Sequence, residues 1–194
     1  MTNSTKDFEA PWFLNAEPLF KHFLSRFSKE KNLNFIEIGS FEGRGSCWLL
    51  ENILTDISCT LTCIDTWEGG YEHNKEYMST VEKRFIHNTK EYKDKLITIK
   101  NTSYNALSSI QHNIEYYDFI YIDGGHTMKD VLQDAVLSFP LIKKGGIIAF
   151  DDYQWELQQP VYLRPDQGIN AFVAAYQPEV TVLHAGGQVW LEKK

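Results

Sequence analysis

The sequence predicts an α/β fold in which helices cover both faces of a doubly wound sheet of seven strands. Three observations support this prediction. Short apolar runs alternate with segments of helical periodicity along the whole chain, four of these runs end in an acid or a glycine, and the last two flank a Gly-Gly pair. The alternation predicts mostly parallel strands, whereas the final hairpin makes the last strand antiparallel to its neighbour.

The length and the uniform composition predict one domain. The chain has 194 residues, of which 43% are hydrophobic, and this is enough for a sizeable core. No linker-like change in composition interrupts the alternation of elements. We therefore expect a single domain over residues 1–194, with an N-terminal helical segment at 1–30 and the α/β core at 31–194.

The first strand and the turn after it are the most distinctive stretch of the chain. Residues 34–38 form the short apolar run expected of a buried parallel strand. The turn is rich in glycine, which lets the backbone bend sharply and approach a ligand without a Cβ in the way. Its glycines are Gly39, Gly43 and Gly45. Ser46 is predicted to cap a helix over residues 47–54.

The glycine spacing bears on the kind of ligand. Glu37, Gly39 and Gly43 form the pattern E-x-G-x-x-x-G, which lacks the G-x-G-x-x-G spacing of a dinucleotide site. The chain also contains no G-x-x-x-x-G-K-[ST] sequence, which excludes a P-loop. These exclusions leave the prediction of a nucleotide-sized site at the end of the first strand. The alternative is a tight turn that binds no ligand.

The other elements follow from helical and strand periodicity in chain order. An amphipathic helix over residues 16–29 is expected to pack on the sheet. Further strands are predicted at residues 60–67, 96–99, 117–123 and 147–150. Further helices are predicted at residues 77–85, 106–110, 128–139 and 169–176, the third capped by Thr127.

The remaining stretches are predicted to be turns, loops and a hairpin. Residues 143–146 should end the third of these helical regions, and Gly186-Gly187 should close a hairpin over residues 180–191. Residues 69–76 are predicted to be a mobile loop that could cover a site. The irregular stretch at 153–168 is suited to substrate contacts.

Composition and charge favour a small-molecule partner. The net charge is −7 and the basic residues are scattered, which argues against nucleic-acid binding. The three cysteines are predicted to be core thiols in a reducing compartment. The N-terminus lacks the apolar stretch of a signal peptide, and no run is long enough to span a membrane, so we expect a cytoplasmic protein that does not bind membranes. The oligomeric state stays open.

Acids and the glycine turn are predicted to meet at one edge of the sheet, because the carboxyl ends of parallel strands lie together. These residues are Gly39, Asp65, Asp123, Asp151 and Asp152. Asp65 is suited to accept hydrogen bonds from a ribose diol, and Trp67 offers a flat surface for a base. The alternative for Asp65 is a loop-capping role.

Four motifs resemble class I S-adenosylmethionine-dependent methyltransferases, especially the small-molecule O-methyltransferases of the catechol and antibiotic-sugar types. They lie at residues 37–43, 63–67, 121–126 and 150–153. The resemblance runs from about Phe35 to the final hairpin, and it implies a Rossmann-like sheet with a reversed last strand.

The resemblance also implies a cofactor site for S-adenosylmethionine. The glycine turn would face the amino-acid part of the cofactor, Asp65 would hold the ribose hydroxyls, and residues 101–103 would lie near the adenine. The implied cofactor-binding residues are Glu37, Gly39, Ser40, Phe41, Gly43, Ser46, Asp65, Thr66, Trp67, Asn101, Ser103, Asp123 and His126.

By the same resemblance, Asp123, Asp151 and Asp152 correspond to the divalent-cation ligands of the catechol-type enzymes, where an Asn takes the place of Asp152. Three neighbouring carboxylates repel one another unless a cation neutralises them, and oxygen ligands suit Mg²⁺ or Mn²⁺. The alternative is that Asp151 and Asp152 are solvated strand-end residues. His126 is predicted to act as the base beside Asp123, with a structural or adenine-side role as its alternative.

The leading hypothesis is O-methylation of a small hydroxylated metabolite of sugar or phenol type, assisted by a divalent cation. Two rivals remain open. One is a degenerate methyltransferase fold that binds the cofactor without chemistry, and the other is a nicotinamide-dependent oxidoreductase, which the glycine spacing disfavours. The other histidines, at 22, 73, 87, 112 and 184, are expected to be surface or core residues.

Overall fold

The computed structural model describes residues 6–70 and 73–194, so part of the predicted loop at 69–76 lies outside the described residues. Six α-helices and seven strands alternate along this part of the chain. In chain order they are α1 Phe13–Leu24, β1 Asn34–Ile38, α2 Arg44–Asn52, β2 Thr60–Asp65, α3 Lys75–Thr89, β3 Leu96–Lys100, α4 Ser103–Ser109, β4 Tyr117–Ile122, α5 Met128–Ser138, β5 Ile142–Phe150, α6 Pro165–Tyr176, β6 Val180–Ala185 and β7 Val189–Lys193.

The strands form one sheet in the order β3-β2-β1-β4-β5-β7-β6. The first five strands pair in parallel, whereas β7 lies between β5 and β6 and is antiparallel to both. The chain winds outward from β1 in one direction and from β4 in the other, which makes the β1/β4 pair the switch point of the sheet. The predicted fold class, including the reversed last strand, is confirmed.

Successive side chains of each strand point to opposite faces of the sheet and pack into two separate cores. On β1, Phe35 packs on the side of α1, α2 and α3, whereas Ile36 and Ile38 pack on the side of α4, α5 and α6. All three side chains are buried, as a strand covered on both faces requires.

The N-terminal helix packs on the sheet as predicted, but it begins three residues earlier, at Phe13, and gives way to a short 3-10 turn after Leu24. Phe20 is fully buried and meets Phe119 of β4 and Trp190 of β7 edge to face. Apolar burial of this size anchors the helix across the centre of the sheet.

The predicted start of the fifth strand is wrong. Residues 143–146 do not end a helix, because α5 ends at Ser138 and β5 already begins at Ile142. The pairing with β4 shifts register between Tyr117 and Phe119, so the two lysines and two glycines form an irregular stretch inside the strand. Gly145 takes the left-handed conformation there (φ 75°).

Over the described residues, no helix is long and apolar enough to cross a membrane.

Candidate active site

A cleft of about 940 Å³ opens at the carboxyl ends of β1, β2, β4 and β5. Its floor is the β1/β4 switch point, where the Asp123 amide donates to the Ile38 carbonyl over 2.9 Å. Gly39 (φ 85°) lies so close to β4 that a Cβ there would be 1.8 Å from the Asp123 carbonyl oxygen. Only glycine fits at this position.

Asp65 anchors the glycine turn. One carboxylate oxygen accepts from the Phe41 amide at 2.8 Å, and the other accepts from the Trp67 amide at 2.7 Å. Burial raises the pKa of Asp65, although these backbone donors act in the opposite direction. The carboxylate also lines the cleft, so its predicted place at the ligand edge agrees with the structure.

Trp67 does not offer a surface for a base, which corrects the prediction. Its side chain is 5% exposed, its ring lies 4.9 Å from that of Phe85, and its indole Nε1 donates to the Phe41 carbonyl over 2.9 Å. The ring therefore supports the glycine turn from below and does not line the cleft.

Gly43, at the end of the turn, and Ser46, in the helix after it, are buried and do not line the cleft. The predicted cap at Ser46 is wrong, because α2 begins at Arg44 with the left-handed Gly43 (φ 78°) before it. The Ser46 hydroxyl instead donates to Glu37. Burial raises the pKa of Glu37 to about 7, while the bond from Ser46 lowers it.

Further residues that the resemblance assigns to cofactor binding come together in the cleft. Thr66, Asn101 and Ser103 line it beside Asp65, and the Asn101 amide donates to the Asp65 carbonyl over 3.1 Å. Ser103 is the first residue of α4, which Thr102 caps through the Asn105 amide. Gly39, Ser40 and Phe41 line the same cleft from the glycine turn.

Asp123, His126 and Asp152 form a cluster in which one ligand atom of each lies within 4.8 Å of the others. His126 Nε2 is 3.1 Å from Asp152 Oδ2 and 4.0 Å from Asp123 Oδ1. The side chain of His126 is 16% exposed, and those of the two acids are about one-third exposed, so the cluster faces the cleft.

Asp151 lines the cleft but stands outside this cluster. The buried Tyr121 hydroxyl donates to one of its oxygens, and the Asp152 amide donates to the other over 2.8 Å. Burial and the charges of Asp151 and Asp152 hold the pKa of Asp123 well above its ordinary range. Such crowding of acids is a setting that a cation would relieve.

Several residues of the cleft were not predicted. Trp12 is 57% exposed and lies 4.9 Å from the Phe41 ring, and His73, expected to be a surface or core residue, lines the cleft and accepts from the Gly70 amide over 3.1 Å. Gln188 reaches the cleft from the turn before β7. None of these residues stands directly after a parallel strand, and that position is the sequence feature that predicts the other residues.

A buried carboxylate, Glu42, joins the N-terminal segment to the glycine turn. It accepts from the amides of residues 9 and 10 at 3.0 and 3.2 Å, from Tyr77 at 2.7 Å, and it pairs with Arg84 at 2.9 Å. The segment that carries Trp12 is therefore fixed beside the glycine turn, and both line the cleft.

The fold and this site define a class of protein. Residues 36–153 match the family described as a methyltransferase domain, and the chain belongs to this family. The match covers all the strand-end acids described above. The expected class I S-adenosylmethionine-dependent methyltransferase family is thereby confirmed.

An uncharacterized protein of Acanthamoeba polyphaga mimivirus is 30% identical over 138 residues, which are 70% of this chain and 58% of the viral protein. The chain thus spans less than two-thirds of the length of this relative.

Solved structures share the fold. An O-methyltransferase from Bacillus cereus in complex with SAH has a TM-score of 0.67 at 17% identity, over 98% of this chain and 84% of that one. A putative O-methyltransferase from Klebsiella pneumoniae has a TM-score of 0.67 at 13% identity, over 98% and 83%. MycE from the mycinamycin biosynthetic pathway, in complex with Mg, SAH and mycinamycin VI, has a TM-score of 0.63 at 16% identity, over 97% and 51%.

Proposed function

We propose that the chain is an S-adenosylmethionine-dependent O-methyltransferase that acts on a small hydroxylated metabolite with the help of a divalent cation. One observation carries the proposal. The Asp123, His126 and Asp152 cluster lines the same cleft as the glycine turn and Asp65, so a methyl donor and an acceptor hydroxyl would meet there.

The residues fit the cofactor. Asp65 presents a carboxylate to the cleft where a ribose diol would bind, and Gly39, Gly124 and Gly125 line the same cleft. The Bacillus cereus structure holds SAH, and TomG from Streptomyces achromogenes holds SAM. When bound, S-adenosylmethionine supplies the electrophilic methyl group.

The residues also fit a divalent cation. Asp123 and Asp152 offer carboxylate oxygens, which suit Mg²⁺ or Mn²⁺, and Asp151 adds a third acid beside them. MycE was solved with Mg. A cation bound here would neutralise the acids and favour the ionised form of a nearby hydroxyl.

His126 is the candidate base. Its Nε2 atom points at the two acids of the cluster, so an acceptor hydroxyl bound there would lie within reach of the ring. His126 would accept the hydroxyl proton while the oxygen–methyl bond forms and the sulfonium–methyl bond of the cofactor breaks, which leaves a methyl ether and the demethylated cofactor. The ring also lies 5.0 Å from that of Trp155, which lines the same cleft.

The acceptor we propose is a sugar or a phenol. The cleft lining carries two indole rings, Trp12 and Trp155, with the amides of Asn15 and Gln154, and such surfaces suit a hydroxylated ring. Acids outnumber bases in the cleft lining, which disfavours a polyanionic acceptor such as a nucleic acid.

Two measurements test the proposal against its rivals. Calorimetry with SAH and with a nicotinamide dinucleotide should show binding of SAH alone, and binding of the dinucleotide alone would overturn the proposal. Radiolabelled methyl transfer to a panel of sugars and phenols should be abolished by chelator and restored by Mg²⁺. Tight SAH binding without transfer to any hydroxyl would favour the degenerate binding module.

A further inference from the structure

A chain of buried hydrogen bonds runs from β7 to the acidic end of β5. Trp190 Nε1 donates to Gln188 Oε1 over 2.9 Å, Gln188 Nε2 donates to the Tyr121 hydroxyl over 3.2 Å, and Tyr121 donates to Asp151 Oδ2. Trp190, Gln188 and Tyr121 are 0%, 4% and 2% exposed. We call these three residues the donor chain.

The direction of the donor chain is set at its first residue. An indole N–H can only donate, so the Gln188 oxygen must face Trp190 and its amide N–H must face Tyr121. The phenol oxygen then accepts from Gln188, and its proton is left for Asp151. Asp151 is thus held as an acceptor by the neutral phenol.

Asp151 in turn holds the backbone of Asp152. Its other oxygen accepts from the Asp152 amide over 2.8 Å, and Asp152 adopts a left-handed conformation with φ 58°. This conformation is unfavourable for a residue with a Cβ and persists only where the surroundings fix it. It directs the Asp152 carboxylate to His126 Nε2, 3.1 Å away.

We infer that Tyr121 and Gln188 are positioning residues that fix the Asp151–Asp152 pair for cation binding. The inference rests on the proposed function, because it assumes that the cluster takes a divalent cation. It assigns a role to the C-terminal hairpin, whose turn lies against the end of β5 through a bond from the Tyr153 amide to the Gly187 carbonyl (2.9 Å). Outer residues that orient ligands commonly change metal affinity 10- to 100-fold when they are replaced.

Two substitutions test the donor chain at different points. Tyr121→Phe removes the proton given to Asp151. Gln188→Glu keeps the size of the side chain and an oxygen that accepts from Trp190. Its second oxygen faces Tyr121 and is an acceptor where Gln188 has a donor. The phenol proton is therefore drawn from Asp151 to the new carboxylate. Each should weaken Mn²⁺ binding to the cofactor-free protein about tenfold, measured by electron paramagnetic resonance. SAH affinity should stay within about twofold in both, since the cofactor side of the cleft is unchanged.

Tyr117→Phe is the matched control, because Tyr117 is 4% exposed on the same strand and lies outside the cleft. It should alter neither affinity, whatever its effect on the melting temperature. Wild-type affinity for Mn²⁺ in Tyr121→Phe and Gln188→Glu would overturn this inference alone. A wild type that binds no Mn²⁺ would overturn the cation assignment in the proposed function and this inference with it.

Discussion

Asp65 has two tasks in the structure, because its two oxygens hold the Phe41 and Trp67 amides while the carboxylate also lines the cleft. Asp65→Ala should weaken SAH binding by about 1.5–3 kcal/mol, since it removes a charged hydrogen-bond acceptor and loosens the turn. Calorimetry measures the effect. Asp56→Ala is the control, because Asp56 is an acid outside the cleft that caps a turn through the Ser58 amide. Unchanged affinity in Asp65→Ala would contradict the ribose assignment.

His126 lies in the acid cluster. A catalytic base and a purely structural side chain at this position predict different effects of substitution on turnover and on SAH affinity. His126→Gln should lower turnover by about 100- to 10,000-fold and leave SAH affinity within about twofold, because only proton removal is lost. Turnover and affinity are to be measured on the same sample, from pH 6 to 9. His112→Gln, an exposed residue outside the cleft, should behave as wild type. A loss of turnover that merely follows a loss of affinity would make His126 a cofactor contact.

At the scale of single residues, the sequence predicted the acids better than the aromatic rings. Asp65, Asp123 and Asp152 follow buried strands, and the parallel sheet brings such positions together. Trp67 also follows a strand, yet an indole there has the same sequence pattern whether it faces a ligand or the core. The left-handed backbone at Trp67 (φ 55°) turns the ring inward, and no sequence pattern indicated this conformation.

At the scale of elements, the strands that pair regularly were predicted to within about two residues, whereas β5 was not. Its bulge against β4 places Gly145 inside the strand, and a Gly-Gly pair after a helix also fits a helix end. The start of α2 was missed for a related reason. Gly43 precedes the helix in a left-handed conformation, so no capping side chain marks the boundary.

The glycine turn after β1 requires a residue without a side chain at position 39. Gly39→Ala should destabilise the fold by about 2–5 kcal/mol, because the left-handed conformation is strained for alanine and the new Cβ would collide with the β4 backbone. Urea denaturation measures the loss. Gly187→Ala should be within about 0.5 kcal/mol of wild type, since nothing lies within 4 Å of its Cβ position. Equal stabilities of the two variants would contradict the close approach of β1 and β4.

At the scale of the whole molecule, the cleft depends on parts of the chain outside the family match at residues 36–153. Trp12 comes from the N-terminal segment and Gln188 from the C-terminal hairpin, and both line the cleft. Glu42 fixes the first of these parts and the donor chain fixes the second. The strand ends and the glycine turn that line the cleft thus belong to the family core, and both ends of the chain complete the lining.

Two acids far from each other in sequence couple the stability of the whole fold to pH. Glu37 and Asp134 are 2% and 1% exposed, and burial raises the pKa of each to about 7. A carboxyl group with a raised pKa binds more protons in the folded state than in the unfolded state. Its contribution to stability is therefore complete below the unfolded pKa of about 4 and is lost as pH rises through about 7.

Glu37→Gln isolates one of these groups, because the amide cannot ionise and Asp134 remains in both proteins. Between pH 5 and pH 8, the free energy of unfolding of the wild type should fall by about 2–3 kcal/mol more than that of Glu37→Gln, as a pKa raised to about 7 requires. Urea denaturation of the cofactor-free proteins at both pH values provides the comparison. Glu30→Gln, at an exposed position, should follow the wild type. Parallel pH profiles for wild type and Glu37→Gln would mean that Glu37 ionises as readily in the folded protein as in the unfolded chain, so the buried site beneath the glycine turn would have to admit a charged carboxylate.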